Sequence, residues 1–270
     1  MLEQTPEMAE VCGAFIGDGW IESRQTSMYI TGNLTEDRRY YDGHLSKIFS
    51  HNIGEVTPKE FPYWHVYGIG FHKKNVIRQL SEFGFVSGRK NRITRIPEWI
   101  MNSKDERIQY SALRGIFDTD GSFYCKRNYS KTSNTWRLRY HWQPRIRIGV
   151  VSPGLIEDIK TIVDRFGISY SNPSPRPPRK SNEQPAYLFE INSVENIKRW
   201  FNEIKPANSR QTTRYGVWRK FGFLPPNTTL EERNKIIADE IDVYSYYAGV
   251  SKRSNEAVVK KTAFTQDLLP

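Results

Sequence analysis

Two stretches of the chain repeat one another, and the repeat restricts the fold more than any other feature. AEVCGAFIGDGWI (residues 9–21) and SALRGIFDTDGSF (residues 111–123) each read as an apolar helix rich in small residues that stops at Asp-Gly before a strand-forming segment. Aligned on that dipeptide, Val11 to Gly19 matches Leu113 to Gly121, with Asp18 and Asp120 in register a domain's length apart. Gly13 and Gly17, matched by Gly115 and Thr119, are spaced four apart on one helical face. Two such helices can cross with their backbones close together, by the small-xxx-small logic of tight helix pairs. The crossing would set Asp18 and Asp120 side by side at the helices' C-terminal ends. The helix dipole disfavours a carboxylate there, and two adjacent carboxylates repel, so the pair calls for cations. Hard, oxygen-preferring Mg²⁺ suits it, and a metal held over a phosphodiester would activate water and stabilise the leaving oxygen.

A second feature lies just downstream. WRLRYHWQPRIRIGVV (136–151) sets Arg137, Arg139, His141, Gln143, Arg145 and Arg147 at alternate positions, with Trp136, Leu138, Tyr140, Trp142, Ile146 and Ile148 between them. Period two predicts a β-strand with one face on a core, and Pro144 suggests an edge position or a bulge. The other face carries four arginines and no acid, whereas an ordinary soluble surface mixes its charges. Arg and Gln pair bidentately with guanine and adenine edges in a major groove wide enough for a β-ribbon. The whole chain agrees in sign: 40 Lys and Arg against 30 Asp and Glu give a formal charge of +10, which favours a polyanionic partner.

The paired segments resemble the two motifs of a single-chain LAGLIDADG homing endonuclease. LRGIFDTDG is a close match; VCGAFIGDG departs at Ile16, which replaces an acid. The resemblance spans roughly residues 7–224 and implies a mixed α/β fold of two pseudo-symmetric αββαββα domains with saddle-shaped antiparallel sheets: 1–105, 106–224 and a C-terminal extension, 225–270. It gives Asp18 and Asp120 the metal-binding role, with Gly17 and Thr119 beside them, and leaves Asp118 a structural or capping one. GRKNRITRIPEWI (88–100) is similar to the interdomain stretch of archaeal-type members and maps an active-site lysine to Lys90. NSRQTTRYGVW (208–218) puts Arg210 where a second lysine is common. The strand arginines, His141 and Gln143 would then read one half-site, together with Lys126. Arg24, Gln25, Ser27 and Tyr29, with Tyr63, His65 and Tyr67 of a second hairpin, would read the other. Hairpin strands are expected at 59–63 and 65–71, and helices at 36–49, 74–83, 154–166 and 194–204. SNPSPRPPRKSNEQP (171–185) reads as a loop or edge ribbon.

Other chemistry is set aside. Cys12 and Cys125 show neither a CxxC nor a zinc spacing, and the five histidines show no ligand spacing. DTDGS fails as a calcium loop because Phe123 stands where Gly is required. The N-terminus is polar and acidic instead of a signal, and no apolar run approaches a membrane span. Thr229 with Glu232 is expected to cap a helix through Ile236, Ile237 and Ile241, and the basic SKRSNEAVVKKTAF that follows reads either as a contact to DNA flanking the site or as a solvated end. The resemblance therefore implies a monomeric, intracellular enzyme of the cytoplasm, nucleoid or an organelle. By the same resemblance it would cut a long asymmetric double-stranded DNA site with Mg²⁺, leaving a staggered break. Mn²⁺ is the expected substitute, and Ca²⁺ the cation expected to bind without supporting cleavage. The rival reading is a non-cleaving maturase that binds intron RNA.

Overall fold

Helix α1 (Pro6–Asp18) starts where Thr5 accepts the Met8 N–H on its hydroxyl at 3.1 Å and Pro6 fills the first turn. In the computed structural model, which describes residues 2–87, 92–127, 135–178 and 184–247, it leads into β1 (Gly19–Ile21) and β2 (Met28–Asn33). Next come α2 (Arg38–Tyr40), a π-helical turn (Tyr41–Leu45) and α3 (Ser46–Asn52), then β3 (Lys59–Phe61), β4 (Val66–Phe71), α4 (Lys74–Glu82) and α5 (Glu98–Met101). The pattern then recurs as α6 (Glu106–Asp120), β5 (Gly121–Lys126), α7 (Thr135–Arg139), β6 (Gln143–Val150), α8 (Pro153–Arg165), β7 (Ser171–Arg176), β8 (Ala186–Ile191) and α9 (Val194–Glu203). Two more helices, α10 (Ser209–Phe221) and α11 (Leu230–Ile237), follow.

The two four-stranded sheets have the same order, β1-β2-β4-β3 and β5-β6-β8-β7. In the first, all pairs are antiparallel, with Trp20 opposite Tyr29 and Tyr29 opposite Gly70. The proline-rich ribbon forms edge strand β7, whose pairing with β8 slips between Ser171 and Ser174 around Pro173. Two compact units divide the chain: residues 1–122 with 147–208, and residues 123–146 with 209–270. Their boundary is not the boundary of the sequence repeat, since it passes along the chain within β5 and β6.

Both repeat helices lie in the first unit and meet at their glycines. A Cβ on Gly13 would fall 2.1 Å from the Ala112 carbonyl oxygen, and one on Gly115 2.2 Å from that of Glu10. Thr119 keeps its hydroxyl on its own helix, donating to the Gly115 carbonyl at 2.8 Å, and a Cβ on Gly17 would strike it. The helices also end alike, Gly19 and Gly121 both having extended backbone. These two glycines are required for room and not for a positive φ, because a Cβ on either would run into the ring of Phe15 or Phe117 one turn earlier.

In the second unit, α10 and α11 pack through fully buried Arg233, which donates to the Thr213 hydroxyl at 2.9 Å and to the Thr228 carbonyl. Thr229 and Glu232 form a full capping box, but α11 stops at Ile237, so Ile241 lies beyond it. No helix among the described residues is long and apolar enough to cross a membrane.

Three strand expectations need correction. The strand foreseen over 136–150 begins only at Gln143; residues 135–139 form α7. Trp136 and Tyr140 also stand four apart, and the helical choice brings their rings to 5.4 Å and Tyr140 to 4.5 Å from Phe223. Strand β6 is an inner strand, so Pro144 marks its second residue and not an edge. The hairpin strand expected at 59–63 ends at Phe61, because Pro62 has no N–H for the ladder and opens a 3₁₀ turn through Trp64.

Replacing Gly13 or Gly115 by Ala is expected to cost about 3 kcal/mol or more, since two backbones must separate. Gly43→Ala, at a position with nothing within 4 Å of an added Cβ, is the control and is expected to be neutral or slightly stabilising. Urea unfolding of the three variants checks the contrast.

Candidate nucleic-acid interface and acidic site

Asp18 and Asp120 end α1 and α6, and the close helix crossing carries them into one neighbourhood of the first unit. A Cβ on Gly17, next to Asp18, would stand 3.4 Å from the Asp120 carboxyl carbon. On the other side, a Cβ on Gly32 of β2 would stand 3.2 Å from an Asp18 carboxylate oxygen and 2.7 Å from one of Asp37. Among the described residues, no group of three or more His, Cys, Asp or Glu side chains is placed to hold a metal. A cation here would rest on the carboxylates of Asp18 and Asp120 and draw the rest of its shell from backbone carbonyls such as those of Gly17 and Thr119, water and phosphate. Mg²⁺ readily keeps such a mixed oxygen shell; structural zinc, with its closed set of side-chain ligands, does not.

Under the acids lies a polar network that the sequence did not announce. Buried Glu10 of α1 takes an ion pair from Arg114 of α6 at 2.8 Å and a hydrogen bond with the His44 ring at 2.5 Å. Arg114 also donates to the Ile204 carbonyl at 2.7 Å. Asp118 is fully buried, and one of its carboxylate oxygens accepts the Ala207 N–H at 2.7 Å. Burial pushes its carboxyl up to about 7, against the pull of that N–H. Buried Asn208 donates through one amide nitrogen to the Asp118 carbonyl and to the Asp37 carboxylate, each at 2.8 Å. Asp37 in turn accepts the Asn33 N–H at 2.8 Å, so the end of α6 is tied to the end of β2. The signal that could have revealed this network was Glu10 itself, an acid inside an otherwise apolar helix face.

The expected reading residues divide by environment. On β6, Gln143, Arg145 and Arg147 alternate with buried Pro144, Ile146 and Ile148, so the two-residue period holds there. Arg147 is already paired with Glu190 of β8 at 2.6 Å. Arg137 and Arg139 sit on α7, and the Arg137 guanidinium lies 4.9 Å from the Trp142 ring centre. His141 is drawn into an aromatic cluster, with its ring nitrogen 3.0 Å from the Tyr247 hydroxyl, and burial lowers its pKa. Lys126 ends β5 and is exposed.

On the first sheet, Tyr67 faces the helices and not the open side. Its hydroxyl donates to Asp42 at 2.6 Å, and burial with that bond raises it to about 12. Strand parity explains the placement: Tyr67 shares a face with core residues Ile69 and Phe71. Tyr29 lies on the open face, while Arg24, Gln25 and Ser27 occupy the β1–β2 turn, where Gln25 takes a positive φ and donates to Ser87 at 2.9 Å. Tyr63 and His65 form the β3–β4 turn, His65 also at positive φ. Arg210 lies in the first turn of α10, in the second unit. Lys90 falls outside the described residues.

The His44 contact makes stability depend on pH. Its bond to Glu10 raises its pKa above 6.5, with burial and Arg114 opposing and Asp118 assisting. A pKa raised by folding stabilises fully below 6.5, and the contribution is lost as pH climbs through the raised value. The urea midpoint should therefore fall across that range in the parent, and His44→Gln should flatten this part of the profile. An unchanged profile in the variant would assign the dependence to other groups.

Comparison with known proteins agrees with one half of the chain in particular. Residues 108–205 match the family described as LAGLIDADG-like domain. No curated protein matches the chain significantly. Among solved structures, I-DmoI in complex with DNA and Mn is similar at 13% identity over 75% of this chain and 97% of that one, with a TM-score of 0.47. The homing endonuclease I-WcaI bound to its DNA recognition sequence gives 14%, 77%, 83% and 0.41. Full-length DUF199/WhiA from Thermatoga maritima gives 14%, 98%, 69% and 0.45.

Proposed function

We propose that this chain, whose residues 108–205 match a LAGLIDADG-like domain, is a two-motif, site-specific DNA endonuclease dependent on a divalent cation. The observation that carries the reading is the glycine-to-glycine crossing of α1 and α6, which gathers Asp18 and Asp120 at one end of the helix pair. In this reading the chain divides into halves 1–105 and 106–224, each supplying one acid, and the two sheets share one strand order. Mg²⁺ is the proposed cation and Mn²⁺ its substitute; when bound, it supplies Lewis-acid stabilisation of charge on the phosphate oxygens.

The chain's own residues do the rest. Asp18 and Asp120 hold the cation, and the buried network of Asn208, Asp37 and Asp118 fixes the end of α6 against β2. Arg145 and Gln143 of β6 present donors to base edges, and Arg24 and Lys126 present charge to phosphates. Lys90 and Arg210 are proposed to support charge at the phosphate, Arg210 as a fixed cation that is a poor proton carrier. The proposed substrate is a long asymmetric duplex, bound by a monomer and cut with a stagger.

The test is cleavage-site selection from a randomised duplex library with Mg²⁺. Discrete cuts at one long sequence are expected, with Asp18→Asn and Asp120→Asn each abolishing cutting while binding persists. Binding should fall with salt at a log–log slope of about −0.9 per phosphate neutralised. Salt-insensitive binding, or cutting that survives both substitutions, would sink the proposal; binding without cutting and a preference for intron RNA would favour a maturase.

A further inference from the structure

The open face of the first sheet is paved with aromatic rings. Trp20 of β1 stacks on Tyr29 of β2 at 5.6 Å between centroids, and Phe61 of β3 stacks on Trp64 at 5.7 Å. Tyr29 joins the two stacks, meeting Phe61 edge-on at 5.6 Å and Trp64 at 5.2 Å. His72 stands against the same ring at 5.7 Å. Strand pairing places Trp20, Tyr29 and Phe61 on the side away from the helices. Trp20 opposes Tyr29 and Tyr29 opposes Gly70, while the alternate residues Ile21, Met28, Ile30, Ile69 and Phe71 fill the core. Gly70 makes room for the pavement, because a Cβ there would come within 3.2 Å of the Phe61 ring and 3.4 Å of Tyr29.

These rings are not core. Trp20 is 39% exposed and Trp64 46%, and neighbouring Tyr63 is 93% exposed. A contiguous aromatic patch of this kind on an open sheet costs hydration and marks a contact surface. Its charge fits a polyanion: the Lys59 ammonium lies 5.4 Å over the Phe61 ring, and exposed Arg24 occupies the β1–β2 turn. What this face offers to bases differs in kind from β6, where Gln143 and Arg145 offer forked donors. The major-groove edge of duplex DNA carries one apolar feature, the C5 methyl of thymine, and aromatic and aliphatic side chains are its matching contacts.

We infer that the first sheet recognises its half-site by thymine methyl groups packed on Trp20, Tyr29, Phe61 and Trp64, so that one half of the target is read largely by apolar contact. The inference rests on the DNA reading above and adds the chemical class of the base feature recognised. The occupant is a thymine-bearing duplex; unpaired RNA bases, which also stack on aromatic sheet faces, are the competing occupant that the test separates.

The experiment uses the full chain and the duplex found by site selection, resynthesised with uracil for every thymine in one half-site at a time. Uracil keeps every hydrogen-bonding group and removes only the methyl. Equilibrium binding, followed by fluorescence anisotropy, is expected to weaken in one half only, by about fourfold for each methyl lost from contact. Trp64→Ala and Trp20→Ala, both at exposed positions, should bind the thymine and uracil duplexes with a much smaller difference than the parent does. Equal binding of thymine and uracil versions in both halves overturns the methyl reading and leaves cleavage intact. Tighter binding of single-stranded RNA than of duplex, lost in the two Trp variants, assigns the face to unpaired bases and also overturns it. A protein that binds and cuts no duplex fails the endonuclease reading itself, and the inference falls with it.

Discussion

Two helices that approach until their backbones touch set the terms for the rest of this molecule. Gly13 and Gly115 leave no room for a methyl group between α1 and α6, and Thr119 turns its hydroxyl back to its own helix so that Gly17 can close on it. So close a crossing is made of van der Waals contact and would by itself tolerate sliding along the shared stripe of small residues. The charges beneath it remove that freedom. Glu10 on one helix meets Arg114 on the other, and Arg114 is also held by the Ile204 carbonyl, so the pair has one axial register. A buried ion pair of this sort adds little net stability once desolvation is counted, but losing one partner typically costs about 3–5 kcal/mol, which selects one alignment over its neighbours.

From that alignment follows the geometry of the acidic end. The chain spends buried polar groups there generously: Asp118, Asn208 and Asp37 are all withdrawn from solvent. Protein interiors retain such groups where satisfied bonds fix a position that apolar packing would leave loose. The amide of Asn208, far along the chain, joins the last turn of α6 to the residue that precedes α2. The two carboxylates proposed to hold metal therefore sit on supports reaching from several separate parts of the sequence.

How much of this was legible in advance depended on how local the cause was. The paired helices could be read because small residues four apart and a terminal Asp-Gly are short-range signals, and a helix over 194–204 was expected from the resemblance. The reading failed where a distant partner decides between two local patterns. Residues 136–142 satisfy both a two-residue and a four-residue spacing, and Phe223 and Tyr247, which settle the matter for Tyr140, lie far downstream. Tyr67 was placed in the right strand but on the wrong face, although its parity with apolar Ile69 and Phe71 was a local signal, and the inward face gives it Asp42 as a partner. Glu10 was visible as an acid among apolar neighbours, yet nothing local announced that its partners would be Arg114 and His44. Lys90 and residues 248–270 lie outside what the structure describes.

The π-helical turn at Tyr41–Leu45 bears on this network in a way that resembles a phase slip in a wave. One surplus residue widens the helix locally, and everything after it is rotated by about 100° relative to an uninterrupted α-helix. Upstream of the slip, Tyr40 faces inward; within it, His44 reaches Glu10; beyond it, Phe49 enters the core. This one segment serves both the hydrophobic layer beneath the sheet and the charged brace between the paired helices. Loss of a single residue there would remove His44 from the brace while leaving composition and helix content almost unchanged.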